Sequence, residues 1–109
     1  MTVGELQVRL GLKSIALPEP EREITGGYVG DLLSFVMGSA KSGDAWVTIM
    51  SNVNVVAVAT LTDVSCVVLS SDVTLDEGVA QRAQAQGVNV LSSSLPSFLL
   101  CNKIAELIR

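Results

Sequence analysis

Histidine is absent from all 109 residues. Its absence removes the Ser-His-Asp and Cys-His nucleophiles and the imidazole general base, and most hydrolytic mechanisms go with them. Cysteine is nearly as scarce, with only Cys66 and Cys101, set in the apolar runs VSCVVL and LLCNKI. Two thiols without histidine cannot complete a zinc site of four protein Cys/His ligands. Both read as core residues, and no metal or cofactor is expected. Aromatic residues make up 4% of the chain and charged residues 17%, where about 25% charged is ordinary. Few aromatics argue against an immunoglobulin-like fold or a base-stacking platform, and so little charge asks for an interface that hides apolar surface. Positive charge is shortest of all. Seven Lys and Arg against eleven Asp and Glu leave a net charge of -4, which repels a phosphate backbone and excludes nucleic acid as a partner.

Long hydrophobic runs are also missing. The longest nearly charge-free stretch, Ala45 to Leu61, is interrupted by Ser51, Asn52 and Asn54 and falls short of a membrane span. The opening MTVGELQVRLG has no apolar signal core. A cytoplasmic protein with no membrane partner is the expectation. What the chain does have is Val, Leu, Ala and Ile, which make up most of its 49% hydrophobic content. These residues fill parallel sheets covered by helices.

The order of elements follows from capping residues and periodicity. Thr2-Val3-Gly4-Glu5 forms a capping box opening a helix that stops at Gly11. Ser14 to Leu17 reads as a short strand closed by Pro18 and Pro20, and Glu23 to Gly30 as a loop or strand edge. Asp31 stands at an N-cap position before Leu32, Leu33, Val36, Met37 and Ala40, which recur at helical spacing. The β-branched run Ala45 to Met50 is a buried strand, and Ser51-Asn52 caps an apolar helix from Val53 to Leu61. After a strand from Ser65 to Leu69, Thr74-Leu75-Asp76-Glu77 offers a second capping box for a helix from Leu75 to Gln86. Val88 to Leu91 makes a strand, and Pro96 opens a last helix reaching Ile108. Strands alternating with helices over short connections from residue 45 onward demand parallel crossovers. The predicted class is therefore α/β: one domain over residues 1–109, a three-layer, mostly parallel sheet with helices on both faces.

Two segments invite a phosphate reading. Gly38-Ser39-Ala40-Lys41-Ser42-Gly43 ends like a phosphate loop, but that motif needs glycine at 35 and 40, where Phe35 and Ala40 stand. The segment reads as a helix C-terminus instead. Thr25-Gly26-Gly27-Tyr28-Val29-Gly30-Asp31 is the stronger candidate, because bare amides of Gly26, Gly27 and Gly30 could turn toward an anion at the start of the next helix. The plain alternative is a tight turn with Asp31 as a cap. Arg22 is the natural charge partner for a phosphate or carboxylate. Ser51, Asn52, Ser70, Ser71 and Ser92 to Ser94 follow strands, and open α/β sheets bind ligands along that carboxyl edge. No catalytic residue emerges: the carboxylates sit in caps, turns and helix faces. The apolar helix around Val53 to Leu61 is either sandwiched in the monomer or turned toward a second copy, and a homodimer is expected.

Glu21-Arg22-Glu23-Ile24-Thr25-Gly26-Gly27, running into Tyr28-Val29-Gly30-Asp31-Leu32-Leu33, resembles the signature of the DRTGG domain family. The stretches Gly43 to Ile49 and Asn52 to Ala59 are similar to that family as well. Glu21 takes the place of the family's first Asp. The resemblance implies an α/β fold similar to the N-terminal, non-catalytic domain of HPr kinase/phosphorylase. It further implies a regulatory domain of the kind that accompanies CBS domains in pyrophosphatases, lies at dimer interfaces, and sits near adenine-nucleotide sites. A serine-kinase activity is not implied, since no phosphate loop is present. The resulting expectation is a dimeric regulatory module for a small anionic ligand or nucleotide at Arg22, Thr25, Gly26, Gly27, Gly30, Asp31, Ser51 and Asn52. The rival expectation is a protein-protein interaction subunit with no small ligand.

Overall fold

The computed structural model describes residues 1–108. Five strands form one sheet in the order β1-β5-β4-β3-β2: β1 (Lys13–Ala16), β2 (Gly26–Val29), β3 (Asp44–Thr48), β4 (Cys66–Leu69) and β5 (Val90–Ser92). Strands β2 to β5 run parallel, and β1 is antiparallel to β5. The side-chain period of two divides each strand between two cores. Trp46, Val67, Leu69 and Val90 face α2 (Leu33–Ser39), α3 (Asn54–Thr62) and α4 (Val79–Ala85). Ala45, Val47, Cys66, Val68 and Leu91 face α1 (Val3–Leu10) and α5 (Ser97–Ile108). The three-layer, mostly parallel α/β architecture read from the sequence is the one observed.

Helix α1 forms as its sequence dictates. Glu5 N donates to Thr2 Oγ1 at 3.1 Å, Thr2 N donates to Glu5 Oε1 at 2.9 Å, and Gly11 closes the helix at φ 61°. Helix α3 resolves its two readings inward, because Val55, Val56, Val58 and Ala59 are buried against the sheet. The second capping box does not form. Asp76 is drawn to Ser51 instead, its amide donating to the Ser51 carbonyl at 2.9 Å and its carboxylate accepting from the Ser51 hydroxyl at 3.1 Å. The chain stays non-helical until Gly78, whose φ of 83° turns it into α4. The helix therefore begins four residues late, at Val79.

Trp46 anchors the center. Its side chain is fully buried and its indole N–H donates to the Gly30 carbonyl at 2.9 Å. The cysteines sit where the sequence puts them. Cys66 is buried and Cys101 partly so, both unpaired. Burial pushes the Cys66 thiol from 9.0 up to about 12 and raises Cys101 as well. A thiolate is the reactive form. An alkylating reagent at pH 8 should therefore spare Cys66 in the folded protein, modify Cys101 slowly, and modify both in urea, as mass spectrometry would report. The folded state holds the Cys66 proton more tightly than the unfolded chain. Its contribution to stability is therefore complete below pH 9.0 and lost as the pH climbs toward 12.

Candidate functional site

Gly26 and Gly27 lie in β2, the outer strand of the sheet, paired with Asp44 and Ala45 of β3. None of Gly26, Gly27 and Gly30 has a positive φ. The segment is the strand edge of the two readings, and its glycines do not form an anion loop at the start of α2. Gly26 and Gly27 stand at the amino end of β2, next to the C-terminal end of α2, and Gly30 follows its carboxyl end. The expected electrostatics are thereby reversed, because a helix C-terminus presents carbonyls rather than amides.

Arg22 is committed elsewhere. Its guanidinium donates to the carbonyls of Val64 and Asp63, each at 3.1 Å, and pairs with the Asp63 carboxylate at 3.2 Å. Asp63 caps α3 in the left-handed region at φ 59° and accepts the Ser42 hydroxyl at 2.6 Å. The Ser42 hydrogen bond, followed by the Arg22 charge, holds its carboxyl below the ordinary 3.8. Arg22 thus ties the chain entering β2 to the end of α3 and is not left over for a ligand.

Asp31 does not cap α2, whose N-cap is Leu32 with no side-chain hydrogen bond. Its Oδ1 instead accepts from the Thr48 hydroxyl at 2.8 Å and from the Ile49 amide at 2.9 Å, cinching the ends of β2 and β3 together. Asn52 Oδ1 accepts the Asn54 amide at 2.9 Å, opening α3, and the Ser51 hydroxyl is taken by Asp76. Ser70 and Ser97 share a hydrogen bond of 2.6 Å. The side chains of Ser51, Asn52 and Ser70 are thus consumed within the fold. Among the described residues a pocket of about 240 Å³ opens at that edge only beside β1 and β5, at Lys13, Asp72 and Ser92 to Leu95, and topology gives the reason none opens between the parallel strands. Open sheets bind at a point where the winding reverses, but β2, β3, β4 and β5 lie side by side in chain order with α2, α3 and α4 all on one face. The winding never reverses among the parallel strands.

The expected site residues therefore divide between opposite ends of the sheet. Arg22, Thr25, Gly26 and Gly27 stand at the amino edge, and Gly30, Asp31, Ser51 and Asn52 at the carboxyl edge. The amino edge has a polar cleft of about 410 Å³ that holds Thr25, Gly26 and Gly27 together with Ser39, Lys41, Ser42 and Asp44. Sequence reasoning passed over the last four as a helix end and a turn. The available signal was Asp44 itself, an acid at the mouth of the wholly buried strand β3. On the opposite face a groove of about 220 Å³ between β2 and α5 is walled mainly by Val29, Val47, Ile104 and Ile108. It offers burial without groups that would orient a ligand.

The carboxyl end of β2 and β3 carries a different surface. Leu32, Phe35, Ile49 and Val53 are exposed at 60, 63, 47 and 45%. No charged residue occurs from Leu32 to Ala40 or from Ala45 to Thr62. Asp31 Oδ1 ties the Ile49 amide to the residue before Leu32, and the Phe35 amide donates to the Leu32 carbonyl at 2.9 Å, which brings the backbone of these three residues to the same end of the sheet.

No protein-family model matches this sequence, and no curated protein matches it. A solved structure does. The CBS and DRTGG domains of the regulatory region of Clostridium perfringens pyrophosphatase, complexed with the activator diadenosine tetraphosphate, superpose with a TM-score of 0.67. The fold is DRTGG-like. The match covers 98% of this chain at 14% identity, and the chain spans 45% of that neighbor. This DRTGG-like fold is the one implied by the Glu21 to Leu33 signature. At such identity the likeness concerns the fold alone. Among the described residues no helix is long and apolar enough to cross a membrane, and no three His, Cys, Asp or Glu gather as metal ligands.

Proposed function

We propose that this chain is a non-catalytic, cytoplasmic regulatory module that pairs with a second copy of itself and senses a small anionic ligand, a nucleotide among them. The observation that supports the pairing is the exposure of Leu32, Phe35, Ile49 and Val53, large apolar side chains bordered by the Asp31 carboxylate. Four large side chains about half exposed present on the order of 400 Å² of apolar surface, comparable to the largest patch of an ordinary monomer, which is often functional. With a net charge of -4, two copies repel over most of their surfaces. Lys and Arg are absent from the segments that carry these side chains, and the Asp31 carboxylate lies beside them. The regulatory role and the nucleotide draw support from the fold, since the pyrophosphatase neighbor is a regulatory region holding a nucleotide activator. The absence of histidine and the internal commitments of Arg22, Asp31 and Ser51 support a module without a reaction step.

Sedimentation velocity tests the pairing. The protein should sediment as a dimer, and Phe35→Asp should weaken association at least tenfold, as burying an unpaired charge in a contact worth more than about 1.4 kcal/mol requires. A protein that stays monomeric at high concentration overturns self-pairing and assigns the patch to a different protein, the rival interaction-subunit reading. The ligand half is read by thermal shift. A nucleotide at a hundred times its Kd should add about 2.7 kcal/mol of stability, and no shift across a millimolar nucleotide panel would remove that half.

A further inference from the structure

Around the amino-edge cleft, Asp44 Oδ1 and the Thr25, Ser39 and Lys41 side chains have no hydrogen-bond or ion-pair partner among the described residues. Asp44 is only 8% exposed, and its Oδ2 accepts the Lys41 amide at 2.8 Å. Its other oxygen, Oδ1, lies beside Gly26, where an added Cβ would come within 2.8 Å of it. Among the described residues Oδ1 has no hydrogen-bond partner, although its atom is not sealed from solvent. Thr25, Ser39 and Lys41 line the same cleft, and among the described residues Lys41 has no carboxylate within ion-pair distance. A carboxylate buried this deeply needs donors, and the carbonyl end of α2 adds acceptors on the same side. The cleft is therefore built to accept hydrogen bonds within and to meet an anion only at its mouth. Gly26 completes the shape, because any side chain there would fall on the Asp44 carboxylate.

We infer that the cleft binds a ligand whose vicinal hydroxyls donate to Asp44 Oδ1 while its phosphate reaches Lys41, the chemistry shared by nucleotides and free sugar phosphates. A volume of about 410 Å³ suits a molecule of that size. The assignment rests on the ligand-sensing half of the function proposed above. It reverses the polarity expected of the glycine segment, with a buried acceptor replacing backbone amides as the recognizing group.

Amide chemical-shift mapping on the full chain tests it with four probes: AMP, ribose 5-phosphate, adenosine and inorganic phosphate. AMP and ribose 5-phosphate should move the amides of Thr25, Gly26 and Lys41 saturably, adenosine should move them more weakly, and phosphate alone should not saturate. Tighter binding of AMP than of ribose 5-phosphate identifies a nucleotide, and equal binding a sugar phosphate. Asp44→Asn keeps an oxygen for the Lys41 amide, so the turn should survive with its melting temperature nearly unchanged. The variant should lose roughly tenfold in affinity, the worth of one charge-assisted hydrogen bond. Lys41→Ala, at an exposed site, should weaken the phosphorylated probes and leave adenosine unaffected. Unchanged affinity in Asp44→Asn would reduce Asp44 to a turn-closing residue and overturn the inference. Saturable shifts elsewhere on the surface would overturn the site but leave ligand sensing standing, whereas no shift with any probe overturns both.

Discussion

Trp46→Ala should destabilize the protein by about 3–5 kcal/mol, measured as a fall in the urea midpoint with an unchanged slope. The indole is the largest fully buried side chain and sits on the face of β3 covered by α2, α3 and α4, in one core with Val36, Val55 and Val67. Truncation leaves a cavity that rigid neighbors cannot collapse, and it strands the Gly30 carbonyl that the indole N–H now satisfies at 2.9 Å. Domains of this size are stable by only about 5–15 kcal/mol in total, so the variant approaches the threshold of unfolding. Trp46→Phe keeps most of the volume and loses only the donor, so its cost should be clearly smaller. Equal costs for the two variants would mean that the Gly30 hydrogen bond, rather than packing, holds the center together.

A comparable loss, about 2–4 kcal/mol by the cost of stranded buried polar groups, is expected for Asn89→Ala. Asn89 is buried, and its amide makes three hydrogen bonds. Nδ2 donates to the carbonyls of Glu19 at 2.7 Å and Ser65 at 3.0 Å, and Oδ1 accepts the Glu19 amide at 2.9 Å. One side chain thus replaces a missing piece of backbone ladder between the Pro18–Pro20 turn and the entrance of β4. Hydrogen exchange should show the consequence locally, with the Glu19 amide losing protection before the β3 amides do. Uniform loss of protection across the sheet would instead mean that the turn and the sheet unfold as one unit.

The architecture was legible in the sequence because it depends on periodicity and caps, which act over a few residues. The Thr2-Glu5 box, the Gly11 stop and the buried runs around Trp46 and Val67 each carry their own instruction and were read correctly. The misreadings share a different origin. Thr74 to Glu77 has a capping box's residues but not its structure, because Asp76 finds a better partner in Ser51, 25 positions away. Asp31 has a cap's position but is captured by Thr48 and Ile49. Arg22 looked available until the end of α3 claimed it. In each case a long-range hydrogen bond outcompeted a local one, and single-sequence reasoning has no means of weighing that competition. The same limit hid Asp44, whose place beside Gly26 depends on the register of β2 against β3.

Strand β2 leaves one edge of the sheet without a neighbor, the kind of margin on which foreign strands nucleate and chains aggregate. Two of its four residues are glycine, the residue type least suited to extended pairing. The fold thus keeps its open margin short and poorly adhesive, a strand four residues long with glycine at half its positions.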